Sequence, residues 1–209
     1  MTEGGGPWAP ADDDAFDRLR RRVLWAMPSG LFVLGSAGAA VAGVRPVNLM
    51  TANWVGQVAT SPKMVAASVE ASSRTRALLD EGGVFTVSLL SREDRALVRR
   101  FVKPVADIER SPRGELVAMA AQEVFEAPSG PPVLSAALGW LECGVRHRLD
   151  LGSHVLYVGE VIGAGAVSYT HLDVYKRQAD GGDRCHVRRW WLLAGGERRR
   201  HLHLRQRHL

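Results

Sequence analysis

A mainly β architecture, a barrel or antiparallel sheet with short connecting helices, is what this 209-residue sequence predicts. Strand candidates outnumber helix candidates, and turns rather than regular long helices separate them, which is the pattern of antiparallel pairing. No GxGxxG follows a strand and no GxxxxGK(S/T) occurs, so the chain carries neither a Rossmann nucleotide site nor a P-loop.

The elements follow in order. Asp12 to Asp14 cap a first helix whose Phe16, Leu19, Val23 and Met27 recur at helical spacing, giving one apolar face. Pro28-Ser29-Gly30 stops it. Leu31 to Leu34 is a short apolar strand, and the Gly- and Ala-rich GSAGAAVAG is a turn region leading to a second strand over Val44 to Ala52. Lys63 to Glu70 is a strand after Pro62. Arg74 to Glu81 is helical and ends at Gly82-Gly83. Val84 to Leu90 is a strand, and Ser91, with Asp94 three residues on, opens a capped helix to Phe101. Residues 103–115 form a polar loop, and two long strands, Leu141 to Leu149 and Ser153 to Ile162, close the body.

The basic character is local. Of the formal net charge of +5, residues 179–209 hold +5 and residues 167–178 hold +1, which leaves −1 for residues 1–166. A near-neutral body gives no reason to expect a nucleic-acid partner. No apolar run reaches the length of a membrane span, so no membrane partner is expected. Two cysteines, Cys143 and Cys185, make no disulfide framework and fit a reducing cytoplasm.

Residues 1–14 read as a disordered acidic tail and residues 15–166 as the folded domain. VSYTHLDVYKRQ, Val167 to Gln178, resembles a translated sequencing-library transposon adapter, because its codons can be written as an inverted repeat. Residues 179–209 then read as an out-of-frame tail that replaces the natural C-terminus, and the histidines and cysteine there are assigned to no metal site.

Four blocks carry a resemblance: NLMTANW at Asn48–Trp54, SPKMVAASVEASSRT at Ser61–Thr75, GVFTVSLLSREDRALVRRF at Gly83–Phe101, and LGSHVLYVGEV at Leu151–Val161. In this order and spacing they resemble the flavin reductase-like, FMN-binding split-barrel family over residues 16–165. The resemblance implies a six-stranded split β-barrel and a homodimer with flavin at or near its interface. It also implies FMN as cofactor, with FAD as an alternative substrate, and NADH or NADPH as electron donor. The reduced flavin would pass to a monooxygenase partner. A tightly FMN-bound electron carrier, or a flavin-free relative of the barrel, would use the same scaffold.

On these blocks the resemblance implies that Thr51, Ala52, Asn53 and Trp54 lie along the ring and ribityl chain, and that Ser68, Val69 and Glu70 line the ring. Period-2 alternation puts Ser68 and Glu70 on one strand face and Val69 on the other, so Val69 would meet flavin by its backbone. Ser72, Ser73 and Thr75 would hold the phosphate at a helix start with Arg74 adding charge, since hydroxyls and N–H groups there suit an anion. An ordinary helix cap is the competing reading. Lys103 would reach the phosphate from a neighbouring loop, or be a solvated basic helix end. His154 would lie on the nicotinamide side, although Ser153 stands where the family usually has Asp. No acid–base dyad is needed, because the cofactor supplies the chemistry.

Overall fold

The computed structural model describes residues 14–91 and 94–166. Most of the acidic tail, the adapter-like segment and the basic C-terminus therefore lie outside the described residues. Asp14, expected in the tail, already begins a helix.

The order is α1 (Asp14–Trp25), β1 (Phe32–Ala37), β2 (Val47–Ala52), β3 (Val55–Thr60), β4 (Lys63–Glu70), α2 (Arg74–Gly82), β5 (Val84–Leu89) and α3 (Arg95–Val98). A 3-10 turn, Arg99–Phe101, follows α3. Then come β6 (Ile108–Arg110), β7 (Leu116–Met119), β8 (Gln122–Glu126), β9 (Pro132–Leu134), β10 (Gly139–Asp150) and β11 (His154–Ala166). Seven strands form one sheet in the order β2-β1-β5-β10-β11-β4-β3, and β6 to β9 form a second sheet of four. The paired strands of both sheets run antiparallel.

The large sheet curls around a buried cluster: Leu34 from β1, Ala52 from β2, Val65, Ala67 and Val69 from β4, Phe85 and Val87 from β5, Cys143 from β10, and Val155 and Tyr157 from β11. Six strands thus line one interior, as a split barrel requires, while the edge strand β3 buries no residue. A second cluster lies between the barrel and the small sheet and includes Val33, Val47, Leu49, Phe101, Met119 and Leu134. β1 serves both, with Val33 on one side and Leu34 on the other, so its residues are buried on both faces.

That double burial explains one departure from the sequence reading. Gly35, Ser36 and Ala37, expected in a turn, belong to β1. A Cβ on Gly35 would stand 2.0 Å from the Pro132 carbonyl oxygen, so glycine here admits the neighbouring β9 rather than marking a loop. β2 accordingly begins at Val47 rather than Val44. The helix expected from Ser91 is also shorter. It starts at Arg95, the Asp94 side chain makes no capping bond, and it tightens into 3-10 geometry after Val98. β3 and the small sheet were not foreseen, and β6 falls within the expected polar loop. By contrast β4 occupies Lys63–Glu70 as expected, and α2 ends on Gly83 in left-handed conformation, φ 66°.

α1 forms with the expected apolar spacing, yet none of its residues is buried. Leu19, Val23, Leu24 and Trp25 are exposed, Trp25 at 89%.

Candidate flavin site on the outer face of the barrel

Alternation along β4 and β11 sorts the expected residues. Val69 points into the barrel and is fully buried, whereas Ser68 is half-buried and Glu70 exposed on the opposite face. In β11, Val155 and Tyr157 point inward, so half-buried His154 shares the outer face. The register places His154 directly opposite Glu70 and Leu156 opposite Ser68.

Trp54 joins the same face. Its carbonyl accepts the Ser68 N–H at 3.0 Å, and its ring lies 4.9 Å from the His154 ring at a tilt of 58°. It is 56% exposed, so two flat side chains form an open aromatic corner. Ser153 Oγ lies 3.0 Å from His154 Nδ1. The two share a hydrogen bond whose direction follows the imidazole tautomer, and the serine brings no charge to it.

The chain leaves this corner directly into the start of α2. The Ala71 N–H donates to the Ser153 carbonyl and the Ser73 N–H to the Glu70 carbonyl, each at 3.0 Å. Ser73 is the helix cap, and its Oγ accepts the Arg76 N–H at 3.1 Å. The N–H groups of Arg74 and Thr75 have no acceptor within the helix, and no acidic residue offsets the positive end in the first turn. Arg74 is exposed beside it. Free backbone donors at a helix start whose own first turn carries no acid suit a phosphate.

Three expected contacts change in kind. Thr75 is 1% exposed, and its Oγ1 accepts from Asn48 Nδ2 at 3.0 Å, so its hydroxyl is turned inward and only its backbone faces the seat. Ser72 donates its hydroxyl to Glu70 Oε1 at 3.1 Å, which places a carboxylate beside that serine. Ala52 is buried in the barrel, so it would meet a ring only through its backbone. Thr51 donates to the Val98 carbonyl and so faces α3, while Asn53 is exposed in the bend before Trp54. Lys103 is exposed in the loop beyond the 3-10 turn, with no bond to the serines.

Sequence reasoning missed the supports beneath α2. Asn48 holds Thr75 and also accepts the Val105 N–H at 3.2 Å. Asp80 accepts from the Tyr157 hydroxyl at 2.6 Å and from Arg148 Nε at 3.0 Å, and it pairs with Arg76 at 2.7 Å. Burial pushes the Asp80 carboxyl up, but the bonds from Tyr157 and Arg148 and the charges of Arg148 and Arg76 outweigh it and hold the group below the usual carboxylate range. Burial, with the bond to Asp80, raises the Tyr157 phenol. The available signals were a polar Asn within an apolar strand and an acid in the last helical turn. Buried Cys143 has no part in the site, and burial beside Glu142 pushes its thiol up to about 12.

Comparison with known proteins bears on the family and the fold. The profile of the flavin reductase like domain matches residues 24–180. The chain is 27% identical over 149 residues to the stachydrine N-demethylase reductase subunit Stc3 of Rhizobium meliloti, covering 71% of this chain and 59% of that protein. It is 31% identical over 119 residues to the NADH-dependent flavin reductase StyB of Pseudomonas fluorescens, covering 57% and 63%. The chain thus spans less than two thirds of either curated relative. Among solved structures, a homologue of nitrilotriacetate monooxygenase component B from Mycobacterium thermoresistibile aligns with a TM-score of 0.60 at 21% identity, covering 75% of this chain and 80% of that one. That likeness is one of fold.

Proposed function

We propose, for a chain that belongs to the flavin reductase-like domain family, that it is an NAD(P)H-dependent flavin reductase using FMN, with FAD as an alternative substrate. The observation that carries the reading is the continuity of the site. An aromatic corner of Trp54 and His154 runs through Glu70 into the Ser73-capped start of α2. A flat ring joined to a phosphate needs that sequence of surfaces.

The residues present fit the group. Ser73 has a hydroxyl proton to donate while its oxygen accepts from Arg76, and the Arg74 and Thr75 N–H groups face the same end of the helix. Trp54 and His154 offer flat surfaces for stacking. When bound, flavin would supply the acceptor for hydride from the nicotinamide. The chain's own task is to bind, to orient two rings face to face and to exclude water. Because Ser153 is neutral, His154 acts here as a positioned hydrogen-bonding edge and not as half of a charged pair.

Stc3 is named a reductase subunit and StyB a flavin reductase. By analogy we place this chain as the reductase of a two-component monooxygenase, acting as a cytoplasmic homodimer. The exposed apolar residues of α1 support a second copy as their cover. Titration with FMN, followed by gel filtration, tests the reading. Saturable binding with flavin lost on the column fits a reductase that exchanges flavin. Flavin retained through the column fits the electron-carrier alternative, and no binding refutes both.

A further inference from the structure

α2 is fastened at its far end as well as at its cap, and the fastening has a cost that asks for a reason. Asp80 lies in the last turn, where the negative end of the helix disfavours a carboxylate, and no basic residue of that turn offsets it. Compensation comes instead from outside the helix. Tyr157 reaches from β11 and Arg148 from β10, and both donate to the same Asp80 oxygen. Tyr157 is 1% exposed, so one of the two donors comes from within the barrel wall, while Asp80 and Arg148 meet it at the surface.

Arg76 connects this fastening to the cap. Its N–H is the one held by Ser73 Oγ, its guanidinium pairs with Asp80, and its carbonyl lies 3.4 Å from the Tyr157 hydroxyl. The hairpin that supplies Tyr157 and Arg148 also begins β11 with His154. The same hairpin therefore bears the aromatic corner and grips the helix whose start is the phosphate seat.

We propose that Asp80, Tyr157 and Arg148 are positioning residues that set the spacing between the α2 phosphate seat and the Trp54–His154 corner, and so give the site its preference for a phosphorylated flavin over one without phosphate. This rests on the flavin reading above. A ligand that touches only the corner does not sense the spacing. A ligand that touches both ends does, because a small misplacement of one end forfeits a contact at the other.

The test compares FMN with riboflavin, which lacks the phosphate, by fluorescence titration of the full chain and its Tyr157→Phe, Asp80→Asn and Arg148→Met variants. In the wild type FMN binds more tightly than riboflavin. In Tyr157→Phe and Asp80→Asn the FMN dissociation constant rises about tenfold, the equivalent of one charge-assisted hydrogen bond, while that of riboflavin stays within about twofold. KM for FMN rises in parallel and kcat does not fall. A purely structural role would lower the melting temperature and leave the FMN-to-riboflavin ratio at its wild-type value, and that result overturns the proposal. Should Tyr157→Phe fail to fold, Arg148→Met, which trims an exposed side chain, decides by the same ratio. A folded wild type that binds neither flavin overturns the flavin reading and this proposal with it. A wild type that prefers FMN, with variants that keep the preference, overturns the proposal alone.

Discussion

Replacing Ser73 separates the two roles that its hydroxyl holds. In the structure Ser73 Oγ accepts the Arg76 N–H at 3.1 Å and caps α2. That bond uses a lone pair and leaves the hydroxyl proton to donate to a phosphate oxygen. Ser73→Ala removes both functions. The cap alone accounts for about 1 kcal/mol of stability, whereas Ser73→Gly gives up only a few tenths, roughly 0.3 kcal/mol, because glycine is itself tolerated at a cap. The lost bond to a charged phosphate is worth about 1.5–3 kcal/mol, so the FMN dissociation constant should rise roughly ten- to hundredfold in both variants. Thermal melts give the stability difference and fluorescence titration gives the affinity. Riboflavin serves as internal control, since it offers no phosphate and its affinity should not change. If both flavins weaken equally, Ser73 acts through helix stability alone. If FMN affinity is unchanged in the glycine variant, the phosphate does not sit at this helix.

His154→Ala should raise KM for the nicotinamide about tenfold or more, the loss of one hydrogen bond and a stacking face, and should weaken FMN and riboflavin by similar factors, because both rings meet the corner that His154 shares with Trp54; affinities and KM that all stay unchanged would remove His154 from the site. The pH dependence of Asp80 follows from its lowered folded-state value. Its stabilisation is complete above the unfolded carboxylate pKa of about 4 and is lost as pH falls through the lower folded value. The melting difference between wild type and Asp80→Asn should therefore narrow on acidification below about pH 4, and a gap that stays constant contradicts the assignment. Cys143 is fully buried with its thiol pushed up to about 12, so in a Cys185→Ser background a thiol reagent should label the chain only after denaturation. Rapid labelling of the native protein would show that the barrel interior opens.

Where one face of a strand is buried, the sequence announced it. β4 shows this, with Val65, Ala67 and Val69 inward and Met64, Ala66, Ser68 and Glu70 outward. α2 was equally plain, with serines before it and glycines after it. β3 was not, because an edge strand with both faces largely exposed has no alternation to read. The strands of the small sheet are too short, three to five residues, to show a period. β1 hid its second half in a Gly- and Ser-containing run, because burial on both faces and a close neighbour select small residues as a turn does. At the site, the cap and the aromatic corner were legible as residue types. The inward turn of Thr75 and the Asp80 fastening were not, since each depends on a residue far away in the chain, Asn48 and Tyr157.

Flavin-dependent oxidation of reduced nicotinamide is the activity proposed for this chain, and steady-state absorbance of NADH and NADPH with and without added FMN measures it directly. The predicted result is oxidation that is negligible without flavin, saturates with FMN and weakens in Ser73→Gly through KM. A folded protein that binds FMN yet oxidises neither nicotinamide above the rate of free flavin would contradict it.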